Sequence, residues 1–277
     1  MTKVLFFLLC LTLTACSGVW RKDNEMKKED LLGEESFMRY NLGKMASLTN
    51  DENYKAVALC HQGRHKEGLA ILKDDYKKFK NDPQYWNNLG TCYYLKGDPS
   101  KAEIYYRLGL ASAVKQPNPM LENNLGVLYY QRGLYDEAYR QFKKSVGQDA
   151  NILTSRFNLA VFYLRFGRWD EARDILVKLY KVNPADVDVL TTLATTYLYK
   201  NEIKNSLELF QKIPVEYRTR QDIAIFYALA LYYKKDFANA EIVLGNMQNN
   251  KISELNDTLG QLKKMIEDGQ QAMKERK

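Results

Sequence analysis

Cysteine, proline and glycine are all scarce in this chain. Four cysteines in 277 residues are far too few for a disulfide scaffold. Six prolines and 15 glycines argue against collagen-like, low-complexity or loop-rich all-β chains and leave helix as the favoured element. The N-terminal apolar run, residues 4–15, has 12 residues against the roughly 20 a helix needs to cross a hydrocarbon core, so it does not read as a transmembrane anchor. Core material and charge, by contrast, are plentiful. With 45% hydrophobic and 27% charged residues the chain can bury a sizeable core in one or two domains, which excludes disorder for most of it. The formal charge of +7 permits a nucleic-acid or anionic-membrane partner, and a count without a location does not choose between them.

The N-terminus supplies the location. Lys3 gives one positive charge, residues 4–13 are apolar, and Leu13-Thr14-Ala15-Cys16 puts small residues directly before a cysteine. That pattern reads as a lipoprotein signal peptide over residues 1–15, with Cys16 as the acylated first residue of the mature chain. Two or three acyl chains hold a protein on a membrane without any spanning helix. The body then lies outside the cytoplasm, and nucleic acid drops out as a partner. Lys3 leaves with the signal, so 40 basic minus 34 acidic residues gives +6. Ser17 stands where retained inner-membrane lipoproteins often carry Asp. By resemblance to sorted lipoproteins, the expected place is the bacterial outer membrane, facing the periplasm. Residues 16–28 are polar and unpatterned and read as a lipidated tether with a reach of about 40 Å.

Self-similarity organises the remainder. Ala56, Gly90, Gly126, Ala160, Ala194 and Ala228 are separated by 34, 36, 34, 34 and 34 residues. A second small series, Gly68, Ala102, Ala138, Ala172, Ser206 and Ala240, follows the first at a constant offset of 12. This spacing fits two antiparallel helices whose small residues let the backbones approach closely. Gly63, Gly97, Gly133, Gly167 and Asn201 fall between the two series, where a left-handed helix cap wants Gly or Asn. Lys235 breaks that rule and predicts a less tidy turn. Leu89, Leu125, Leu159 and Leu193, with Tyr93, Tyr129, Tyr163 and Tyr197, fill core slots on the first helices. Leu72, Tyr106, Phe142, Leu176, Phe210 and Leu244 do so on the second.

Trp86-Asn87-Asn88-Leu89-Gly90, Tyr93, Gly97, Ala102 and Tyr106 resemble the tetratricopeptide repeat, and the resemblance covers residues 49–248 as six repeats. It implies an all-α fold, a right-handed superhelical solenoid of helical hairpins. The chain departs from the pattern at Lys55, in lacking most repeat-ending prolines except Pro184, and at Pro214, which should shorten the second helix of repeat five. A two-residue insertion around Pro117-Asn118-Pro119 marks the expected place for flexing or a change of superhelical angle. Residues 29–48 are expected to form an N-terminal capping helix. Residues 249–277 are expected to be a C-terminal cap and tail, with Ile252, Leu255, Leu259, Leu262 and Ile266 in one apolar stripe.

Catalytic motifs are missing: there is no P-loop, dinucleotide fingerprint, G-x-S-x-G or H-E-x-x-H, so the reading is not an enzyme, with no cofactor and no small-molecule substrate. Cys60, His61 and His65 are residue types that ligate zinc, but Gly63 places a turn between the histidines and His65 takes the slot of Tyr135, Trp169 and Phe237, a turn-packing role. Asp136-Glu137 and Asp170-Glu171 sit at the starts of second helices, where carboxylates cap amides and suit the helix dipole. An oxidising compartment permits a Cys60–Cys92 bond. Repeat register nevertheless turns Cys92 toward the packing interface and Cys60 toward the inner surface, so two buried or half-buried thiols are expected.

In tetratricopeptide proteins the first helices line a concave groove. By that resemblance Asn53, Asn87 and Asn123 form a ladder beside Asn88, Asn124 and Asn158, and Tyr94, Tyr130, Leu164, Leu198 and Tyr232 recur on the same wall. Asparagine both donates and accepts, so such a ladder suits the backbone of an extended peptide. Exposure is expected for the first asparagine set, while for the second, inter-helix bonding is an equal alternative. The basic run at residues 64–80 reads as a solvated helix face, with acidic protein surfaces or lipid headgroups as the docking candidates. A lipobox, a tether and six such repeats resemble the pilotin lipoproteins of type IV pilus secretins. The resemblance implies protein clients, secretin subunits among them, and membrane attachment through the lipid. A periplasmic adaptor for peptidoglycan hydrolases or proteases, or a scaffold of an envelope motility complex, is the rival reading.

Overall fold

A computed structural model of the chain describes residues 52–113, 117–149, 152–248 and 256–275. Cys16, the signal peptide, the tether and the N-terminal cap at residues 29–48 lie outside the described residues, as do Ile252 and Leu255. The described residues are helical, with no strand. Six hairpins follow one another: α1 (Glu52–His61) with α2 (His65–Asp74), then, after the short α3 (Tyr76–Phe79), α4 (Pro83–Leu95) with α5 (Pro99–Ser112), α6 (Pro119–Gln131) with α7 (Tyr135–Gln148), α8 (Leu153–Arg165) with α9 (Trp169–Val182), α10 (Val187–Tyr199) with α11 (Ile203–Lys212), and α12 (Gln221–Tyr233) with α13 (Phe237–Gly245). A last helix, α14 (Asn256–Lys274), packs on α12 and α13 with Leu262 and Ile266 buried, as the apolar stripe predicts.

The small residues do what their spacing implies. A Cβ on Gly90 would lie 2.4 Å from the Tyr106 ring, and one on Gly126 2.7 Å from Phe142, so each glycine lets a large ring of the second helix lie flat on the first. The turns between helices share one geometry. Gly63, Gly97, Gly133 and Gly167 have φ between 69° and 85°, and Asn201 has φ 61°. Lys235, expected to disturb its turn, adopts φ 64° as well. The sixth turn is therefore regular and, like that at Asn201, carries a Cβ where the other four avoid one. Pro214 acts as expected: α11 is 10 residues against 14 for α7 and α9. Beyond it, Arg218 ties the loop by donating from Nε to the Ile213 carbonyl and from a guanidinium NH2 group to that of Gln211.

The chain divides into two compact units, one with the described residues up to Leu159 and the other from Ala160 onward, so α8 begins in one and ends in the other. The insertion near Pro119 is not where they divide. Asn118 caps α6 through Met120 N and bonds Gln84 of α4 at 2.9 Å, which fastens that junction inside the N-terminal unit.

Candidate functional site

In the N-terminal unit α4 has α1 and α6 beside it and α2 and α5 behind it. One stripe of the helix, Asn87, Thr91 and Tyr94, runs beside the neighbouring first helix, with Asn87 held by Asn124, Tyr94 by Gln131, and Thr91 3.3 Å from the Tyr106 hydroxyl of α5. The same slots hold Asn53, Val57 and Cys60 on α1 and Asn123, Val127 and Tyr130 on α6. On α8 they hold Phe157, Val161 and Leu164, on α10 Thr191, Thr195 and Leu198, and on α12 Ile225, Leu229 and Tyr232. None of these side chains is charged, although 27% of the chain is. Charge is carried at recurring positions of the second helices, where Arg140 and Lys144, Asp174 and Lys178, and Glu208 and Lys212 are exposed, and at other slots of the first helices, as at Arg156, Asp188 and Asp222. This segregation is legible in the sequence once the register is set.

The first asparagine set is placed differently from expectation, and the second takes the inter-helix alternative. Asn53, Asn87 and Asn123 are buried, at 7%, 7% and 0% exposure, and so are Asn88, Asn124 and Asn158. Their carboxamides bond one another across hairpins. Asn158 Nδ2 donates to Asn123 Oδ1 at 2.9 Å, Asn123 Nδ2 to Asn124 Oδ1 at 3.1 Å, and Asn124 Nδ2 to Asn87 Oδ1 at 2.9 Å. Asn88 Oδ1 takes a bond from Gln84, the residue that Asn118 also holds. A buried amide needs partners, and the ones within reach lie on the neighbouring first helix. These groups therefore join hairpins and are not offered as free donors and acceptors to a client backbone. Tyr94, also buried, accepts from Gln131 Nε2 at 2.6 Å; Tyr130 and Leu198 are buried too. Leu164 and Tyr232 keep partial exposure, together with Val161 and Thr191, all in the C-terminal unit.

The cysteines depart from expectation as well. Cys60 and Cys92 are joined by a disulfide with a Cα–Cα distance of 5.3 Å. Slot comparison places them on different faces, but α1 and α4 are neighbours, and the face of α4 turned to α1 meets the end of α1. His61 closes α1 and His65 opens α2, and among the described residues no group of metal-ligating side chains gathers. Burial, with the charge of His65 adding to it, pushes the His61 imidazole down to about 4. The residues preceding α7 and α9 make no side-chain cap, and of the acidic pairs Asp170 meets Lys200 at 2.7 Å, while Glu171 accepts from its own backbone amide and meets Arg168. The carboxylates still occupy the first turn, where the helix dipole favours them. The caps come from other residues, Asp82, Asp98, Asp186 and Asp236. Lys66, Lys73, Lys77, Lys78 and Lys80 are exposed.

On the outer side of α5 and α6, Glu103 accepts from Arg107 and Arg132. Burial pushes its carboxyl up, but the two guanidiniums outweigh that and hold it below the usual range. This cluster joins neighbouring hairpins and offers no reacting group.

Residues 123–188 match the tetratricopeptide repeat, and so do residues 83–113. The architecture is thus an all-α solenoid of tetratricopeptide hairpins, a scaffold suited to protein–protein interaction. No protein of curated function matches the chain in sequence. Among solved structures, Pseudomonas aeruginosa pilF is similar with a TM-score of 0.58 at 17% identity, over 70% of this chain and 87% of that one. A tetratricopeptide repeat protein from Parabacteroides merdae gives 0.53 at 16%, over 85% and 97%. MamA from Desulfovibrio magneticus gives 0.51 at 17%, over 64% and 96%. At these identities the likeness is one of fold.

Proposed function

We propose that the chain is a lipid-anchored scaffold of the bacterial outer membrane, facing the periplasm, that binds client proteins through the partly exposed residues on the first helices of its C-terminal unit and assists assembly of a type IV pilus secretin in the manner of a pilotin. The observation that carries client binding is the partly exposed, uncharged part of the stripe in the C-terminal unit, Val161, Leu164, Thr191 and Tyr232, in a chain rich in charge. Such a wall suits an apolar or uncharged polar segment and offers no cation for an acidic tail. The half-exposed Leu164 and Tyr232 are its first contacts. The lipobox at Cys16 supports the anchor, the disulfide agrees with an oxidising compartment, and the fold shared with pilF agrees with the pilotin reading. The lipid raises the scaffold's effective concentration at the membrane, and no chemical step is involved.

Crosslinking in the native cell followed by mass spectrometry tests the client. A secretin subunit is the expected catch, and recovery of peptidoglycan hydrolases, proteases or motility proteins in its place would move the reading to an envelope adaptor. Replacing Cys16→Ala should release a folded body from the membrane fraction, and its persistence there would sink the anchor. Leu164→Lys puts a charge on the stripe and should weaken client capture about tenfold; unchanged capture moves the interface elsewhere.

A further inference from the structure

We propose that the Cys60–Cys92 disulfide is a redox-set lock that fastens the N-terminal hairpin to the second one, and that cleaving it lets α1 and α2 open while α6 and α7 stay folded. The bond does not depend on the lipid anchor or on the client. It joins two first helices at a separation of 32 residues, and its Cα–Cα distance of 5.3 Å lies within bridging range. Both cysteines are sealed, at 1% and 0% exposure. The backbone of α2 stands against the bond, since a Cβ on Gly68 would come within 2.6 Å of Cys60 Sγ and 2.4 Å of the Ala56 carbonyl oxygen. Cys92 Sγ in turn lies 3.9 Å from the Ala56 carbonyl. The bond therefore sits where α1, α2 and α4 meet, and a reductant reaches it only when the first hairpin moves away.

Among the described hairpins the junction it secures is the first of the row, where the first hairpin has one repeat neighbour in place of two. Tyr85 adds a hydrogen bond across it to the Leu72 carbonyl at 2.8 Å. The next junction, by contrast, is held by the Asn124–Asn87, Asn118–Gln84, Gln131–Tyr94 and Arg132–Glu103 contacts. Losing the covalent bond consequently weakens the first junction selectively. In chemical terms the two thiols give up two protons and two electrons to a disulfide-donating oxidant, whose own disulfide is reduced to a dithiol.

The test uses the full chain, isolated from an oxidising compartment with free thiols blocked at lysis. Peptide mapping should recover the Cys60 and Cys92 peptides as one linked species, and finding both alkylated instead overturns the proposal. Hydrogen exchange is then compared before and after dithiothreitol. Amides of α1 and α2 should exchange at least tenfold faster in the reduced chain, with α6 and α7 unchanged. Unchanged exchange in α1 and α2, or loss of protection throughout, overturns it. Cys60→Ser and Cys92→Ser should each reproduce the reduced pattern. Should either fail to fold, chemical reduction of the unaltered chain still decides.

Discussion

The two units solve one problem, how to join neighbouring first helices, with different chemistry. In the N-terminal unit the slots hold asparagines, and a chain of carboxamides runs from Asn158 through Asn123 and Asn124 to Asn87. In the C-terminal unit the same slots hold Thr191, Thr192, Ile225 and Phe226. There the hydroxyls turn back on their own helix: Thr191 donates to the Val187 carbonyl, Thr195 to that of Thr191, and Thr196 to that of Thr192, at 2.7 to 2.8 Å. A carboxamide is long and both donates and accepts, so it bridges; a hydroxyl one bond from Cβ satisfies itself locally. Coupling in the C-terminal unit combines apolar packing, as in the Phe210 and Tyr227 rings stacked at 5.4 Å, with the Arg220–Asp188 ion pair between the N-cap of α12 and α10 at 3.3 Å, and among the described residues uses no carboxamide chain. The N-terminal unit adds the disulfide as a second specific tie.

The largest expected break in this comparison is reduction of that bond. Closing a loop at a separation of 32 residues is worth about 3–4 kcal/mol in the chain-entropy account. Thermal unfolding followed by exchange in each unit should show that loss in the N-terminal one alone. Next is Asn124→Leu, which keeps the volume but strands Asn87 Oδ1 and Asn123 Nδ2. It should cost about 2–3 kcal/mol, whereas Thr196→Val, at a fully buried slot, should stay within about 1 kcal/mol. Equal effects of the two substitutions in urea unfolding would erase the distinction between the units.

These features were unequally legible in the sequence. The register, the turns and the shortened α11 follow from single residues acting locally: a missing Cβ at Gly90, a left-handed φ at Gly133, a missing amide at Pro214. The fate of Asn87 is not local. Its carboxamide has the same polarity whether it faces solvent or Asn124, and that partner lies 37 residues away. The cysteines escaped for a related reason, since slot comparison aligns equivalent positions while neighbouring helices touch through different ones. In the candidate site, what the sequence did contain was the uncharged stripe, a pattern of absences and so harder to notice than a ladder of asparagines.

Acid should also separate the units, because both histidines of the chain, His61 and His65, are in the first hairpin. His61 has a folded value near 4, below its ordinary 6.5, so the folded state binds fewer protons than the unfolded one between those values. Its contribution is fully present above about pH 6.5 and is lost as pH falls toward 4, by on the order of 2 kcal/mol. Exchange of α1 and α2 should accelerate over that window in the unaltered chain. His61→Gln should flatten the dependence.

The smallest effect concerns the turns. Those of the N-terminal unit, at Gly63, Gly97 and Gly133, are all glycine, whereas two in the C-terminal unit, at Asn201 and Lys235, bear side chains in the left-handed region. Asparagine tolerates that region through its short polar side chain, but lysine has no such compensation. Relief of the Cβ clash in Lys235→Gly competes with glycine's greater loss of backbone freedom on folding, and the two differ by little. A net gain of about 0.5–1 kcal/mol is expected, read as a shift in the urea midpoint with an unchanged slope. Gly167→Ala forces the opposite exchange at φ 69° in the same unit and should lower stability by about 1 kcal/mol. If both substitutions moved the midpoint in one direction, the turn geometry would not be what sets these caps.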